Sequence, residues 1–193
     1  EALRDRDTVL ARRVIDGDAQ VDRQEVRIEG EVVRLIALHQ PVAHDLRLLI
    51  TMLKLNYDLE RIADHAVNVC WLASRIVRRG GRIPQQLLDL AERVVNNSRR
   101  AFQAFLDQDE RGARAVMSGD AAVDRLDRSV RHEVADMLED QAEVGSALHV
   151  FRISRELERA GDHVTNMAED IVWLITGEIV RHRAGPATAA PAS

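Results

Sequence analysis

The chain has 193 residues, 46% of them hydrophobic, which suffices to bury a core as one domain or as two small ones. The 32 acidic and 27 basic residues nearly balance at a net charge of −5, and no basic block stands apart from acids. This pattern does not indicate a nucleic-acid binder. Cys70 is the only cysteine, so no disulfide forms within the chain, and we expect a reducing, cytoplasmic setting. No apolar run approaches the ~18 residues of a membrane span, so we expect no membrane insertion.

The few prolines and glycines mark the predicted ends of helices. Pro41 follows a first helical stretch, the segment 80–84 separates the two halves, and Gly145 precedes another long stretch. Gly177 indicates a helix stop, and the tail 184–193 is predicted to be disordered. Between these points apolar residues recur at intervals of three and four without strict alternation, so the sequence predicts an all-α fold.

Two long helices are predicted, one over 44–79 and one over about 146–178. On a helical projection of the first of them, one apolar face is expected to be buried. The centre of that face consists of Met52, Leu55, Leu59, Ile62, Ala66 and Val69. The polar residues opposite it, which are expected at the surface, are Arg47, Lys54, Asp58 and His65.

The sequence contains an internal repeat. The phrase Leu-Glu-Arg-Ile-Ala-Asp-His-Ala-Val-Asn at 59–68 returns as Leu-Glu-Arg-Ala-Gly-Asp-His-Val-Thr-Asn at 157–166, which is 98 positions later. The segment 17–23 likewise returns at 119–125, whereas 86–103 has no counterpart, because its counterpart would precede Glu1. We therefore predict two tandem three-helix bundles, at 1–80 and 84–180, with the first helix of the first bundle absent.

Each half carries acidic pairs spaced four residues apart, which places both carboxylates on one ridge of a helix. Like charges at that spacing repel, so repeated pairs indicate a cation that offsets the cost. If the middle and last helices of each bundle are neighbours, four carboxylates meet in each half. Hard oxygen ligands of this kind suit Mg²⁺, Mn²⁺, iron or Ca²⁺. The candidate metal ligands are Asp18, Asp22, Glu60 and Asp64 in the first half, and Asp120, Asp124, Glu158 and Asp162 in the second.

These acids have other interpretations. They could form a solvated face, or they could pair with neighbouring arginines such as Arg61 and Arg159. Asp18 and Asp120 each follow a glycine and could instead be helix N-caps.

The remaining polar residues do not point to catalysis. His65 and His163 project about 100° away from the adjacent acidic ridge and are interpreted as surface residues. No Glu-x-x-His lies on an inward helix face, which argues against diiron oxidase chemistry. A glycine-rich phosphate loop, a nucleophile elbow and a catalytic triad are also absent from the sequence, so no catalytic residue is assigned.

At its repeated phrases the chain resembles the PhoU family, regulators of phosphate uptake. The resemblance covers about residues 2–180 and rests on the duplication and on three segments, 40–47, 58–68 and 156–170. It implies two tandem three-helix bundles whose E(D)-x-x-x-D motifs bind multivalent metal, with Mg, Mn or Fe as candidates. One departure is that Glu169 extends the second ridge, whereas the equivalent position of the first is Trp71.

The resemblance also implies a non-enzymatic, cytoplasmic regulator that damps phosphate-starvation signalling. Its expected partners are the ATPase subunit of the phosphate transporter and the sensor histidine kinase of the phosphate regulon, and a homodimer is expected. Two alternatives stay open: a carboxylate-bundle metalloenzyme and a metal-free helical interaction module.

Overall fold

The computed structural model describes residues 1–180, and the predicted disordered tail lies outside them. No strand occurs in residues 1–180, so the all-α prediction is confirmed. Among the helices of residues 1–180, none combines the length and the hydropathy that a membrane span requires. The helices are α1 (Thr8–His39), α2 (Ala43–Arg78), α3 (Gln85–Asp107), α4 (Glu110–Ser118), α5 (Asp120–Glu139) and α6 (Val144–Thr176).

Local chemistry sets the ends of these helices. The Asp7 carboxylate accepts hydrogen bonds from the amides of Val9 and Leu10 at 2.8 and 2.9 Å, and so caps the start of α1. The predicted stop at Gly177 is confirmed, because this glycine adopts a φ of 74° and its amide donates to the Trp173 carbonyl. Both long helices match their predictions to within two residues at each end.

The repeat-related glycines Gly17 and Gly119 behave differently. Gly17 lies inside α1, and a Cβ placed there would meet nothing within 4 Å. Gly119 separates α4 from α5, and a Cβ there would stand 3.5 Å from Nδ2 of Asn97 on α3. Asp18 therefore lies in mid-helix, and Asp120 is preceded by Gly119 as the N-cap, so the N-cap interpretation of both acids is wrong.

The two halves meet along α2 and α6, which run antiparallel. Lys54 pairs with Asp170 near one end of this seam, and His65 pairs with Glu156 further along it. On the outer side α1 packs on α2, while α3, α4 and α5 pack on α6. Because residues related by 98 positions lie on opposite helices of the seam, the halves are arranged about an approximate two-fold axis.

Coverage of the core differs between the halves. Val123 and Leu157 are 2% and 7% exposed, because α3 covers the face between α5 and α6. Their counterparts Val21 and Leu59 are each 38% exposed. Within residues 1–180 no third helix covers α1 and α2 in the same way. The expectation that the central face of α2 is buried throughout is therefore wrong at Leu59 and Ala66.

Candidate functional site

The first acidic group lies between α1 and α2. Burial raises the pKa of Asp18, and the negative charges of Asp22 and Asp64 raise it further. Glu60 is 8% exposed, and its pKa is likewise raised, first by burial and then by the charge of Asp64. Asp18 therefore lies within electrostatic reach of Asp22 and Asp64, whereas the α1 carboxylate that acts on Glu60 is Glu25.

A guanidinium already accompanies this first group. Arg61 lies with Nε 2.7 Å from Oε2 of Glu60 and with Nη1 3.2 Å from Oδ2 of Asp64. The contact between Nε of Arg61 and Oε2 of Glu60 is an ion pair without hydrogen-bond geometry. Both atoms are buried, and neither has a hydrogen-bond partner in residues 1–180. The alternative in which these acids pair with an arginine is therefore confirmed for Glu60 and Asp64.

The second acidic group lies where the start of α5 meets the middle of α6. Partial burial raises the pKa of Asp162, and the negative charges of Glu158, Asp120 and Asp124 add to the shift. The pKa of Asp120 is raised as well, mainly by burial and further by the negative charge of Asp124. The other three predicted ligands of the second half therefore all lie within electrostatic reach of Asp162.

This second group is less neutralised than the first. Nη1 of Arg155 is 3.3 Å from Oε1 of Glu158, and the Thr165 hydroxyl donates to Oδ1 of Asp120 at 3.3 Å. Asp124 and Asp162 make no ion pair with any residue of the described chain. Both residues are exposed, so solvent screens the mutual repulsion that a multivalent cation would remove.

The donor set of the second group fits a hard cation, because it offers carboxylate oxygens from two neighbouring helices. In residues 1–180, however, no three side chains of His, Cys, Asp or Glu are already grouped as metal coordination requires. The carboxylates of Asp120, Asp124, Glu158 and Asp162 would therefore have to change rotamer to hold a metal together.

Sequence reasoning missed the polar seam between α2 and α6. His65 donates from Nδ1 to Oε2 of Glu156 at 2.8 Å, and His163 donates from Nδ1 to Oδ1 of Asp58 at the same distance. The two imidazole centroids lie 5.6 Å apart. The surface interpretation of both histidines is wrong, because their side chains are only 14% and 20% exposed.

The repeat itself contained the signal for this seam. Asp58 and Glu156 are related by the same 98 positions as His65 and His163, so a two-fold seam pairs each histidine with the other half's carboxylate. Helical projection alone had placed a set of four α2 residues at the surface, and α6 instead packs against them. These residues are Arg47, Lys54, Asp58 and His65.

Comparison with known proteins agrees with this architecture. The family model described as the PhoU domain matches residues 1–73 and again residues 87–171. The chain belongs to the PhoU family. The predicted resemblance and the duplicated helical bundle are thereby confirmed.

Curated relatives carry the name "Phosphate-specific transport system accessory protein PhoU homolog". The chain is 36% identical to the one from Pseudomonas putida over 184 residues, which is 94% of this chain and 72% of that protein. It is also 36% identical to the Deinococcus radiodurans homolog, over 83% of this chain and 76% of the relative.

Solved structures give the same result. The crystal structure of PhoU from Pseudomonas aeruginosa superposes with a TM-score of 0.87 at 34% identity, covering 92% of this chain and 86% of that chain. The PhoU of Streptococcus pneumoniae, a phosphate transport system regulatory protein, gives a TM-score of 0.82 at 26% identity. It covers 93% of this chain and 85% of that chain.

Proposed function

We propose that this protein is a non-enzymatic, metal-binding regulator of phosphate uptake and of phosphate-starvation signalling. The names of its relatives support the phosphate-transport part of this proposal. One observation carries the metal-binding part. At positions that the repeat marks twice, three carboxylates lie near a fourth, Asp162, and their charges add to the effect of burial in raising its pKa.

In this proposal the metal is a hard cation, Mg, Mn or Fe, held by Asp120 and Asp124 from α5 and by Glu158 and Asp162 from α6. Binding removes the repulsion among the carboxylates and braces α5 against α6. The first group binds metal more weakly, because Arg61 already supplies positive charge to Glu60 and Asp64.

As a regulator, the protein would act as a cytoplasmic adaptor between two partners. These are the ATPase subunit of the phosphate transporter and the sensor histidine kinase of the phosphate regulon, and we propose that it does so as a homodimer. Pull-down from phosphate-replete cells, followed by mass spectrometry, tests the partners, and recovery of neither protein would contradict the adaptor role. Sedimentation of the purified chain tests the homodimer.

Calorimetric titration with Mn²⁺ tests the metal site. We expect wild-type protein to bind Mn²⁺ and Glu158→Ala with Asp162→Ala to lose the tighter site, because half of its oxygen donors are removed. The matched control is Asp136→Ala with Glu139→Ala, which removes two exposed acids of α5 outside the group. Absence of Mn²⁺ binding by the wild type, or equal loss in the control, would contradict the proposal.

A metal-free interaction module is the second candidate. It is favoured by the lack of a preformed three-residue metal cluster in residues 1–180 and by the Arg61 pairs. The two candidates differ in one outcome: if partner recovery is unchanged after Glu158→Ala with Asp162→Ala and in chelator, the metal-free module is correct.

A further inference from the structure

A polar pocket lies at the end of the molecule where the chain leaves α2 and enters α6, remote from both acidic groups. Arginines at positions 6, 79 and 82 line it, together with glycines at positions 81 and 145 and Ser146. Asp140 and Glu143 line it as well. The pocket therefore combines three cations with two acids.

Ser146 is a polar residue that lies almost wholly buried in the wall of this pocket. It is only 5% exposed, and its hydroxyl makes no hydrogen bond to any residue of the described chain. A Cβ at Gly81, on the facing wall of the pocket, would clash with Oγ of Ser146. The hydroxyl thus occupies the space that Gly81, which has no side chain, leaves in the wall of the pocket.

The first turn of α6 opens onto the same pocket. Its N-cap, Glu143, makes no side-chain capping hydrogen bond. The amides of Val144 and Gly145 also have no backbone acceptor in residues 1–180. Unpaired amides and the helix dipole together give this end of a 33-residue helix a partial positive charge.

The guanidinium of Arg79 lies against this positive end. Its Nη1 stands 2.9 Å from the place where a Cβ on Gly145 would be, and it has no carboxylate partner among residues 1–180. A cation at position 79 is favourable at the C-terminus of α2. Its guanidinium is unfavourably placed beside the first turn of α6, however, because that helix end also carries a partial positive charge. At the opposite end of α6, by contrast, Arg47 donates to the Leu174 carbonyl, where the helix dipole favours a cation.

The other charged residues of the pocket are already engaged. Arg82 pairs with Glu133 at 2.6 Å and with Glu143 at 3.5 Å. Asp140 accepts from the Ala142 amide at 2.9 Å, and Arg6 donates to the Gly81 carbonyl at 2.8 Å. The groups left without partners therefore include four that can donate to a ligand: the Arg79 guanidinium, the Ser146 hydroxyl and two α6 amides.

We propose that this pocket binds a phosphate-type tetrahedral oxyanion. The anion would accept from the α6 amides, from Oγ of Ser146 and from the Arg79 guanidinium, and it would offset the repulsion between Arg79 and the helix end. The proposal goes beyond the regulatory function and does not depend on metal binding.

Equilibrium dialysis of the full chain against radiolabelled inorganic phosphate, in chelator and a phosphate-free buffer, tests this site. We expect saturable binding of one phosphate per chain. Arg79→Gln is expected to weaken binding at least about tenfold, and Ser146→Ala about fivefold. Arg78→Gln is the matched control, because Arg78 carries the same charge next in sequence but donates to the Ser74 carbonyl outside the pocket.

Three results would overturn the proposal: no saturable binding by the wild type, full binding by Arg79→Gln, or equal weakening by Arg78→Gln and Arg79→Gln. The last result would mean that phosphate binding depends only on the net charge of the protein and not on this pocket. Chelator keeps metal out of the carboxylate groups, so the two experiments are independent. A lack of phosphate binding would not contradict the metal site, and a lack of Mn²⁺ binding would not contradict the phosphate site.

Discussion

The two halves of the molecule share a repeat but differ in how completely their apolar faces are covered. Val116 and Val123 are each 2% exposed, whereas their counterparts Val14 and Val21 are 36% and 38% exposed. The side chains are identical and lie at repeat-related positions, on α1 in the first half and on α4 and α5 in the second. Periodicity in the sequence therefore decides which face of a helix is apolar, but only a neighbouring helix decides whether that face is buried.

The acidic groups differ in a similar way. Arg61 forms ion pairs with Glu60 and Asp64, whereas its counterpart Arg159 is exposed and makes no ion pair within residues 1–180. The repeat thus conserves the positions of the carboxylates but not the cation that accompanies them. By contrast, the histidine–carboxylate pairs of the α2–α6 seam are the same in both directions.

The largest expected effect tests the difference in coverage. Leu157→Ala should lower the free energy of unfolding by about 2–5 kcal/mol, because it opens a cavity in a closed core. Leu59→Ala, at the equivalent position, should cost only about 1 kcal/mol, because Leu59 already faces solvent. Urea denaturation of both variants measures the difference.

A second pair of variants, at repeat-related valines, tests whether the difference between the halves is independent of residue type. Val123→Ala should likewise cost more than Val21→Ala. Equal costs within both pairs would mean that the faces of α1 and α2 are buried in solution, and the comparison between the halves would fail.

The next effect tests the symmetry of the seam. His65→Ala and His163→Ala should each lower the free energy of unfolding by about 1–2 kcal/mol, since each removes one hydrogen bond to a carboxylate. His132→Ala, at an exposed position of α5, is the control and should have little effect. If only one of the two histidine variants lowered the free energy of unfolding, the two seam pairs would be equivalent in geometry but not in their contribution to stability.

The sequence allowed the helices and the duplication to be predicted, because periodicity, turn residues and repeated spacing are local properties. The role of the eight acids as metal ligands stays a prediction. The sequence did not allow the surroundings of Asp58 and His65 to be predicted. Both lie opposite the apolar face of α2, and a single-helix projection cannot show that α6 covers that side too. The exposure of Leu59 escaped prediction for the converse reason, since its covering helix is a tertiary property.

A smaller effect concerns the cation at the first acidic group. Arg61→Gln should raise the Mn²⁺ affinity of the first half about tenfold, because Glu60 and Asp64 lose a competing positive charge. Arg159→Gln is the matched control and should change Mn²⁺ affinity little. Calorimetric titration separates the two, and unchanged affinity in Arg61→Gln would show that the pairing with Arg61 is not what distinguishes the sites.

The smallest expected effect is the pH dependence of the second group in chelator. The folded state raises the pKa of Asp162, so between the ordinary aspartate pKa and that raised value it binds more protons than the unfolded state. Stability therefore falls as pH rises through this window, and the penalty persists above it.

Asp162→Asn removes that penalty and should stabilise the protein at neutral pH by about 0.5 kcal/mol, a modest value because solvent screens this site. The gain should vanish at pH values below the ordinary aspartate pKa, where wild-type Asp162 is protonated as well. Asp64→Asn, its counterpart, should give no gain, because it removes an ion pair with Arg61. Thermal unfolding from pH 3 to 8 measures both variants. A gain from Asp162→Asn that persisted at low pH would arise from packing rather than charge, and the carboxylates of the second half would then not repel one another enough to recruit a cation.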